Sequence, residues 1–152
     1  MKRFLTFSLL VFTAFACKTY NDDQKAIFNA KIEAHIDSVY TQKFESLESG
    51  LYYRIIKEGE GKHKIKYTDN VDIYYTGSLL NGDVFQVITP EEALNFDVKD
   101  LIIGWQEALS LISEGGVVEV YIPPYLGYGD RQTEKIPQNS IIHFVLGVKK
   151  VI

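Results

Sequence analysis

The spacing of apolar residues changes near residue 50, from a helical period to a period of two. Residues 21–47 contain no Gly or Pro. Asn21 or Asp22 can cap a helix there, and Ser49-Gly50 can end it. We therefore predict an amphipathic helical arm that packs on its own domain, pairs with a second copy or spaces the domain from a membrane. Its apolar stripe consists of Ile32, Ile36, Val39, Tyr40, Phe44 and Leu47.

Downstream of the arm, short alternating segments predict β-strands separated by turns. Asn81-Gly82 is a strong hairpin signal between two of them. The loop 58–61, the pair Gly115-Gly116 and the pair Pro123-Pro124 mark other strand ends. The strands are predicted at 51–56, 71–76, 117–122 and 141–151, with another beginning at Val84.

One segment between the strands, Leu101–Ile112, has helical spacing. It carries the only tryptophan, and Trp105, Ala108, Leu109 and Ile112 fall on one helical face. The β-branched Ile102 and Ile103 before it favour an extended entry. The predicted fold is therefore α+β: a curved antiparallel β-sheet wrapped around one short α-helix, preceded by an N-terminal helix.

The N-terminus has the features of a bacterial secretory signal. Met1-Lys2-Arg3 is positively charged, and residues 4–16 are mainly apolar. The only cysteine, Cys17, follows directly, which is typical of a lipoprotein whose first mature residue is lipid-modified. Ala14 and Ala16 also fit ordinary signal cleavage. We expect a signal peptide at 1–16, a lipidated arm at 17–48 and a domain at 49–152, in a chain exported to the cell envelope.

Charge and motif content exclude several classes of function. The net charge of −4 gives no reason to expect nucleic acid as a partner. His35, His63 and His143 are scattered without ligand spacing, so we predict no metal and no cofactor. With Cys17 used in processing there is no thiol nucleophile, and no phosphate-binding glycine loop precedes a helix.

What remains is a set of aromatic residues contributed by separate elements around the short helix. A cup of such side chains with few polar groups is typical of a pocket for an apolar ligand. Its members are Tyr75, Phe85, Trp105, Tyr128 and Phe144. They could also be plain core, but two tyrosine hydroxyls favour a partly hydrated cavity.

The order and spacing of these residues resemble an FKBP-type peptidyl-prolyl cis-trans isomerase from about residue 49 to residue 152. The matching segments are Tyr74–Gly77, Asn81-Gly82 with Phe85, Leu101–Leu109, Gly116–Ile122, Pro123–Gly129, Ile136-Pro137 and Ser140–Phe144. The resemblance implies proline-containing polypeptide substrates and inhibition by macrolides.

The resemblance also implies a role for each matched residue. Trp105 would form the floor of the pocket, and Tyr75, Phe85 and Phe144 its walls. Leu101, Ile102, Ile136 and Gln86 would lie at the rim and contact substrate. The Ile102 N–H and the Tyr128 hydroxyl would bind substrate carbonyls.

Two departures from the family pattern leave alternatives open. Gln86 stands where the family usually has Asp, and the stretch Val87–Asn95 carries Pro90. Either Leu94 or Phe96 could supply a further family aromatic position. A catalytically weak chaperone or binding module, or a structural partner in an envelope assembly, is therefore the alternative to an isomerase that assists the folding of exported proteins.

Overall fold

The computed structural model describes residues 20–152. The predicted signal peptide at 1–16 and the predicted lipidation site Cys17 lie outside the described residues. The elements in chain order are α1 Asp22–Val39, β1 Glu45–Ser46, β2 Tyr52–Lys57, β3 Asn70–Leu79, β4 Val84–Ile88, β5 Leu94–Asp97, α2 Ile103–Ser110, β6 Val117–Ile122 and β7 Ile142–Val151. Within the described range, neither α-helix is long and apolar enough to cross a membrane.

All strand pairs in the described sheet are antiparallel, in the order β1-β2-β6-β7-β3-β4, and β5 also pairs with β3. Each strand presents alternate residues to the core, as a period of two requires. On β3 and β7 the buried inner residues are those expected from the alternation: Val71, Ile73, Tyr75, Ile142, Phe144, Leu146 and Val148. The predicted α+β fold is confirmed.

Helix α2 packs against the inner face of the sheet. Three of the four residues predicted on its buried face, Trp105, Ala108 and Leu109, lie on α2 and are buried. The fourth, Ile112, is also buried but follows the end of the helix. A β-carbon at Gly104 would lie 2.6 Å from the Ile122 side chain, so glycine allows the start of α2 to approach β6 closely. The expectation of an extended Ile103 is wrong, because Ile103 is the first helical residue and Ile102 is the extended N-cap.

Helix α1 lies on the opposite, outer face and packs on its own domain. Ile32 and Ile36 are buried with Tyr52, Tyr121 and Ile141. Asn21 forms a capping box with Gln24, which selects Asn21 over Asp22 as the cap.

The predicted helical arm is too long at its C-terminal end. The helix ends at Val39, which is 60% exposed, and Tyr40 is an extended C-cap. Phe44 contacts the Tyr121 ring from a loop, and Glu45–Ser46 forms β1 beside β2. The apolar spacing up to Leu47 is therefore satisfied by a turn and a strand, and periodicity alone does not separate these from helix.

Candidate functional site

A cavity of about 560 Å³ opens between α2, the inner face of β3 and β7, and the loop after β6. All nine residues expected at the pocket line this cavity. Its lining residues are Tyr75, Phe85, Gln86, Phe96, Asp100, Leu101, Ile102, Trp105, Tyr128, Thr133, Glu134, Lys135, Ile136 and Phe144.

Trp105 lies at the centre of the aromatic cluster and is 5% exposed. Its ring centroid is 4.8 Å from that of Tyr75 and 5.0 Å from that of Phe144, with interplanar angles of 75° and 88°. Edge-to-face contacts of this kind stabilise aromatic clusters beyond their burial alone. The Trp105 Nε1–H is buried and has no hydrogen-bond acceptor among residues 20–152.

The walls depend on a glycine in β3. Phe85 and Phe144 meet edge-to-face at 5.6 Å across Gly77. A β-carbon at Gly77 would lie 2.6 Å from each of these rings. Gly77 therefore leaves the space that both walls occupy.

Phe96, and not Leu94, supplies the further aromatic position. The Phe96 ring is edge-on to Trp105 at 6.2 Å, whereas Leu94 is 41% exposed. The 3-10 turn Pro90–Glu92 separates β4 from β5, and β5 pairs Phe96 with Val71 on the inner face. The pairing of β5 with β3 determines which β5 residues face the cavity, and this pairing cannot be read from the local sequence.

Two hydrogen-bond donors at the mouth have no acceptor within the described part of the chain. They are the backbone N–H of Ile102, which precedes α2, and the hydroxyl of Tyr128. The Gln106 side chain holds the preceding turn by donating to the Leu101 carbonyl at 2.8 Å. Both residues line the cavity, which has room for a peptide carbonyl.

The rim and wall differ in polarity. Ile136, which we expected at the rim, lines the cavity and is 6% exposed. Gln86, Asp100, Glu134 and Lys135 are exposed, and the Lys135 ammonium donates to the Phe85 carbonyl at 3.3 Å. Burial, and next the neighbouring Tyr128, raises the pKa of Tyr75, so the phenol stays protonated at neutral pH.

A second polar cluster lies on the outer face of the sheet. Ser78 Oγ is 3.1 Å from His143 Nδ1, and His143 Nε2 is 2.9 Å from Glu119 Oε1. This resembles a nucleophilic triad, but Ser78 is 7% exposed and Glu119 also binds Arg54 and Tyr40. We assign the cluster to structure, because a nucleophile must reach its substrate. Residues 20–152 contain no group of three or more His, Cys, Asp or Glu side chains placed to hold a metal ion.

Comparison with known proteins gives a family for this site. Residues 61–149, more than half of the chain, match the family described as FKBP-type peptidyl-prolyl cis-trans isomerase. The chain belongs to this family. Its FKBP fold is also that of the crystal structure of FkpA from Escherichia coli, with a TM-score of 0.72 and 31% identity over 85% of this chain and 61% of that one.

Two curated FKBP relatives have similar identity. The chain is 37% identical to the FKBP-type peptidyl-prolyl cis-trans isomerase FkpA of Buchnera aphidicola subsp. Schizaphis graminum, over 74% of this chain and 49% of the relative. It is 38% identical to the probable FKBP-type peptidyl-prolyl cis-trans isomerase of Haemophilus influenzae, over 70% of this chain and 45% of the relative. The chain thus spans about half the length of these relatives.

Proposed function

We propose that the chain is a peptidyl-prolyl cis-trans isomerase that accepts proline-containing polypeptides in the aromatic cavity. The observation that carries this proposal is the arrangement of Tyr75, Phe85, Trp105 and Phe144 as an aromatic cup beside two donors without acceptors among residues 20–152. Membership of the FKBP family supports the same reaction.

Prolyl isomerisation requires a lower barrier to rotation about the X-Pro bond, and it makes or breaks no covalent bond. Rotation about an X-Pro bond crosses a barrier of about 18–20 kcal/mol, because it breaks the C–N resonance. The planar amide is more dipolar than the twisted one, so water favours the planar ground state. A cavity that removes water and contacts the proline ring with aromatic faces favours the twisted state by difference.

The two donors orient the peptide during this rotation. The Ile102 N–H and the Tyr128 hydroxyl would bind carbonyls on either side of the rotating bond and hold the substrate while one half turns. The Tyr75 phenol is neutral at neutral pH because its ordinary pKa is 10.0 and burial raises that pKa further, so no charge arises beside the twisted amide. Leu101 and Ile136 supply apolar contacts that hold the side chains flanking the proline.

The cellular role follows from the N-terminus. We propose an exported lipoprotein, anchored in the cell envelope through Cys17, whose clients are exported polypeptides that must reach native X-Pro isomers. Macrolides that occupy FKBP cavities are expected to inhibit it. Mass spectrometry of the mature N-terminus, with Cys17→Ser as the control, tests the lipid; an unmodified Cys17 would contradict the anchor.

Gln86 favours a second candidate function. Where the family usually has a carboxylate beside the pocket Phe, this chain has a neutral and exposed side chain. A rim without that charge could bind apolar segments without useful turnover, as a chaperone or binding module does.

One experiment separates the two functions. The full chain, purified in mild detergent, is added in catalytic amounts to a proline peptide, and cis–trans exchange is followed by NMR while binding is followed by Trp105 fluorescence. We expect accelerated exchange, and Gln86→Asp to change kcat/KM by less than about threefold, because the side chain is exposed. Binding without acceleration would support the binding module, and recovery of turnover in Gln86→Asp would identify Gln86 as the reason.

A further inference from the structure

The loop that carries Tyr128 is a closed hydrogen-bonded turn. The Pro124 carbonyl accepts from the N–H of Gly127 at 3.0 Å and of Gly129 at 2.9 Å. Leu126 N–H donates to the Pro123 carbonyl at 3.0 Å. Residues 123–129 therefore share a network of backbone hydrogen bonds, so a contact that restrains one of them also restrains the loop that carries Tyr128.

Tyr125 is the residue of this loop that the N-terminal helix holds. Its hydroxyl donates to Asn29 Oδ1 of α1 at 2.7 Å. The same hydroxyl sits against Gly50, where a β-carbon would lie within 2.1 Å of it. Gly50 has φ +94°, so glycine suits this position for its backbone as well as for the space it leaves.

A second contact reaches the loop that contains Ile136. Tyr20 packs its ring 6.1 Å from the Tyr125 ring and donates its hydroxyl to Asn139 Oδ1 at 2.6 Å. The Asn139 N–H donates to the Gly129 carbonyl at 2.8 Å. Asn139 comes three residues after Ile136, which lines the cavity. The start of α1 thus joins both loops that frame the mouth.

We propose that Tyr20, Asn29 and Gly50 form a brace that positions Tyr128 and Ile136 for substrate, acting through Tyr125 and Asn139. The inference rests on the proposed isomerase activity of the cavity. None of the five residues lines the cavity itself. They are therefore positioning residues and touch no substrate.

The brace matters because the Tyr128 hydroxyl has no hydrogen-bond partner of its own among residues 20–152. Its position is therefore set by its loop and by the packing of the Tyr128 side chain against the core. A donor helps a reacting bond only when it is held within about 0.5 Å of its productive position.

The test removes one hydroxyl and keeps its ring. In the full chain, Tyr125→Phe breaks the bond to Asn29. The matched control is Tyr52→Phe, which also removes a hydroxyl bonded to α1, here to Glu33 at 2.7 Å, but on the outer face of the sheet. We expect kcat/KM to fall about fivefold in Tyr125→Phe and less than about twofold in Tyr52→Phe.

A double-mutant cycle shows whether the effect passes through Tyr128. In a Tyr128→Phe background, Tyr125→Phe should change kcat/KM by less than about twofold, because the donor that it positions is gone. An equal loss in both backgrounds means that Tyr125 stabilises the fold only, and overturns the inference. So does an unchanged kcat/KM in the single variant.

A readout without catalysis keeps the brace separate from the isomerase proposal. Amide hydrogen exchange of Gly127 and Gly129 should speed up in Tyr125→Phe and stay unchanged in Tyr52→Phe, since the loop opens more often without its brace. If the wild-type chain shows no turnover, the isomerase proposal is refuted, and amide hydrogen exchange alone then tests whether the brace holds the loop. Unchanged exchange in Tyr125→Phe refutes the brace even in an active enzyme.

Discussion

At the scale of single residues, the chemistry rests on a few groups whose partners are missing inside the protein. The Ile102 N–H and the Tyr128 hydroxyl have no acceptor among the described residues, and both residues line the same cavity. A buried aromatic floor beside two open donors suits a ligand that is apolar in its ring and polar in its backbone. A prolyl peptide has both properties.

Removal of the Tyr128 hydroxyl should lower kcat/KM without unfolding the protein. We expect Tyr128→Phe to lower kcat/KM about three- to tenfold, the usual value of one hydrogen bond. The exposed Tyr67→Phe serves as a control, since Tyr67 is 61% exposed and away from the cavity. Equal kcat/KM in Tyr128→Phe and wild type would remove this hydroxyl from the mechanism.

At the scale of elements, α1 is held to the sheet by an apolar contact and a polar one. Ile32 is fully buried against the outer face, whereas Ile27 on the same helix is 55% exposed. Beyond the helix, the Tyr40 hydroxyl donates to Glu119 at 2.8 Å. The helix is therefore an integral part of the domain.

The two isoleucines give a matched test of this docking. Ile32→Ala should lower the free energy of unfolding by about 2–5 kcal/mol, because it leaves a cavity under α1. Ile27→Ala should change it by less than about 0.5 kcal/mol. Urea unfolding measures both, and similar small effects at the two positions would show that α1 does not dock.

Sequence patterns predicted the elements well where a single physical signal dominates. The alternation on β3 and β7 and the buried face of α2 follow from local periodicity, whereas the β3–β4 hairpin follows from its Asn81-Gly82 turn. The end of α1 could not be predicted in this way, because the apolar residues after Val39 keep a helical spacing although they lie in a loop and a strand. The position of Phe96 also depends on pairing across the sheet.

The candidate site was predictable from spacing and family resemblance, but its supports were not. All nine expected residues line one cavity. Tyr125 and Asn29 lie almost a hundred residues apart, and nothing in the sequence of either indicates that they meet. Contacts between distant side chains form only once the fold places them together.

At the scale of the whole molecule, a polar network under α1 makes stability depend on pH. Burial would raise the pKa of Glu119, but hydrogen bonds from His143, Arg54 and Tyr40 outweigh it and lower the pKa to about 2. Burial, and next the neighbouring His143, lowers the pKa of His35 on α1. In both groups the unfolded chain binds protons more readily than the folded one.

We therefore expect stability to fall on acidification in two windows. The contribution of His35 is complete above its ordinary pKa of 6.5 and is lost as the pH drops below it. The contribution of Glu119 is complete above 4.5 and is lost as the pH approaches 2. Urea unfolding measured from about pH 8 down to about pH 2 covers both windows.

Two variants test which residue is responsible for each pH window. His35→Gln should flatten the upper window and Glu119→Gln the lower one. Glu119→Gln should also cost about 2–3 kcal/mol at neutral pH, because it leaves the partly buried Arg54 without its carboxylate. An unchanged lower window in Glu119→Gln would contradict the assignment.

The central claim is that the aromatic cavity around Trp105 catalyses prolyl isomerisation, and one comparison tests it most directly. Exchange of a proline peptide is measured by NMR with the full wild-type chain and with Trp105→Leu, after urea unfolding has shown that the variant is folded. We predict that wild type accelerates exchange and that the folded variant loses at least about tenfold in kcat/KM. A folded Trp105→Leu with wild-type activity would contradict the account.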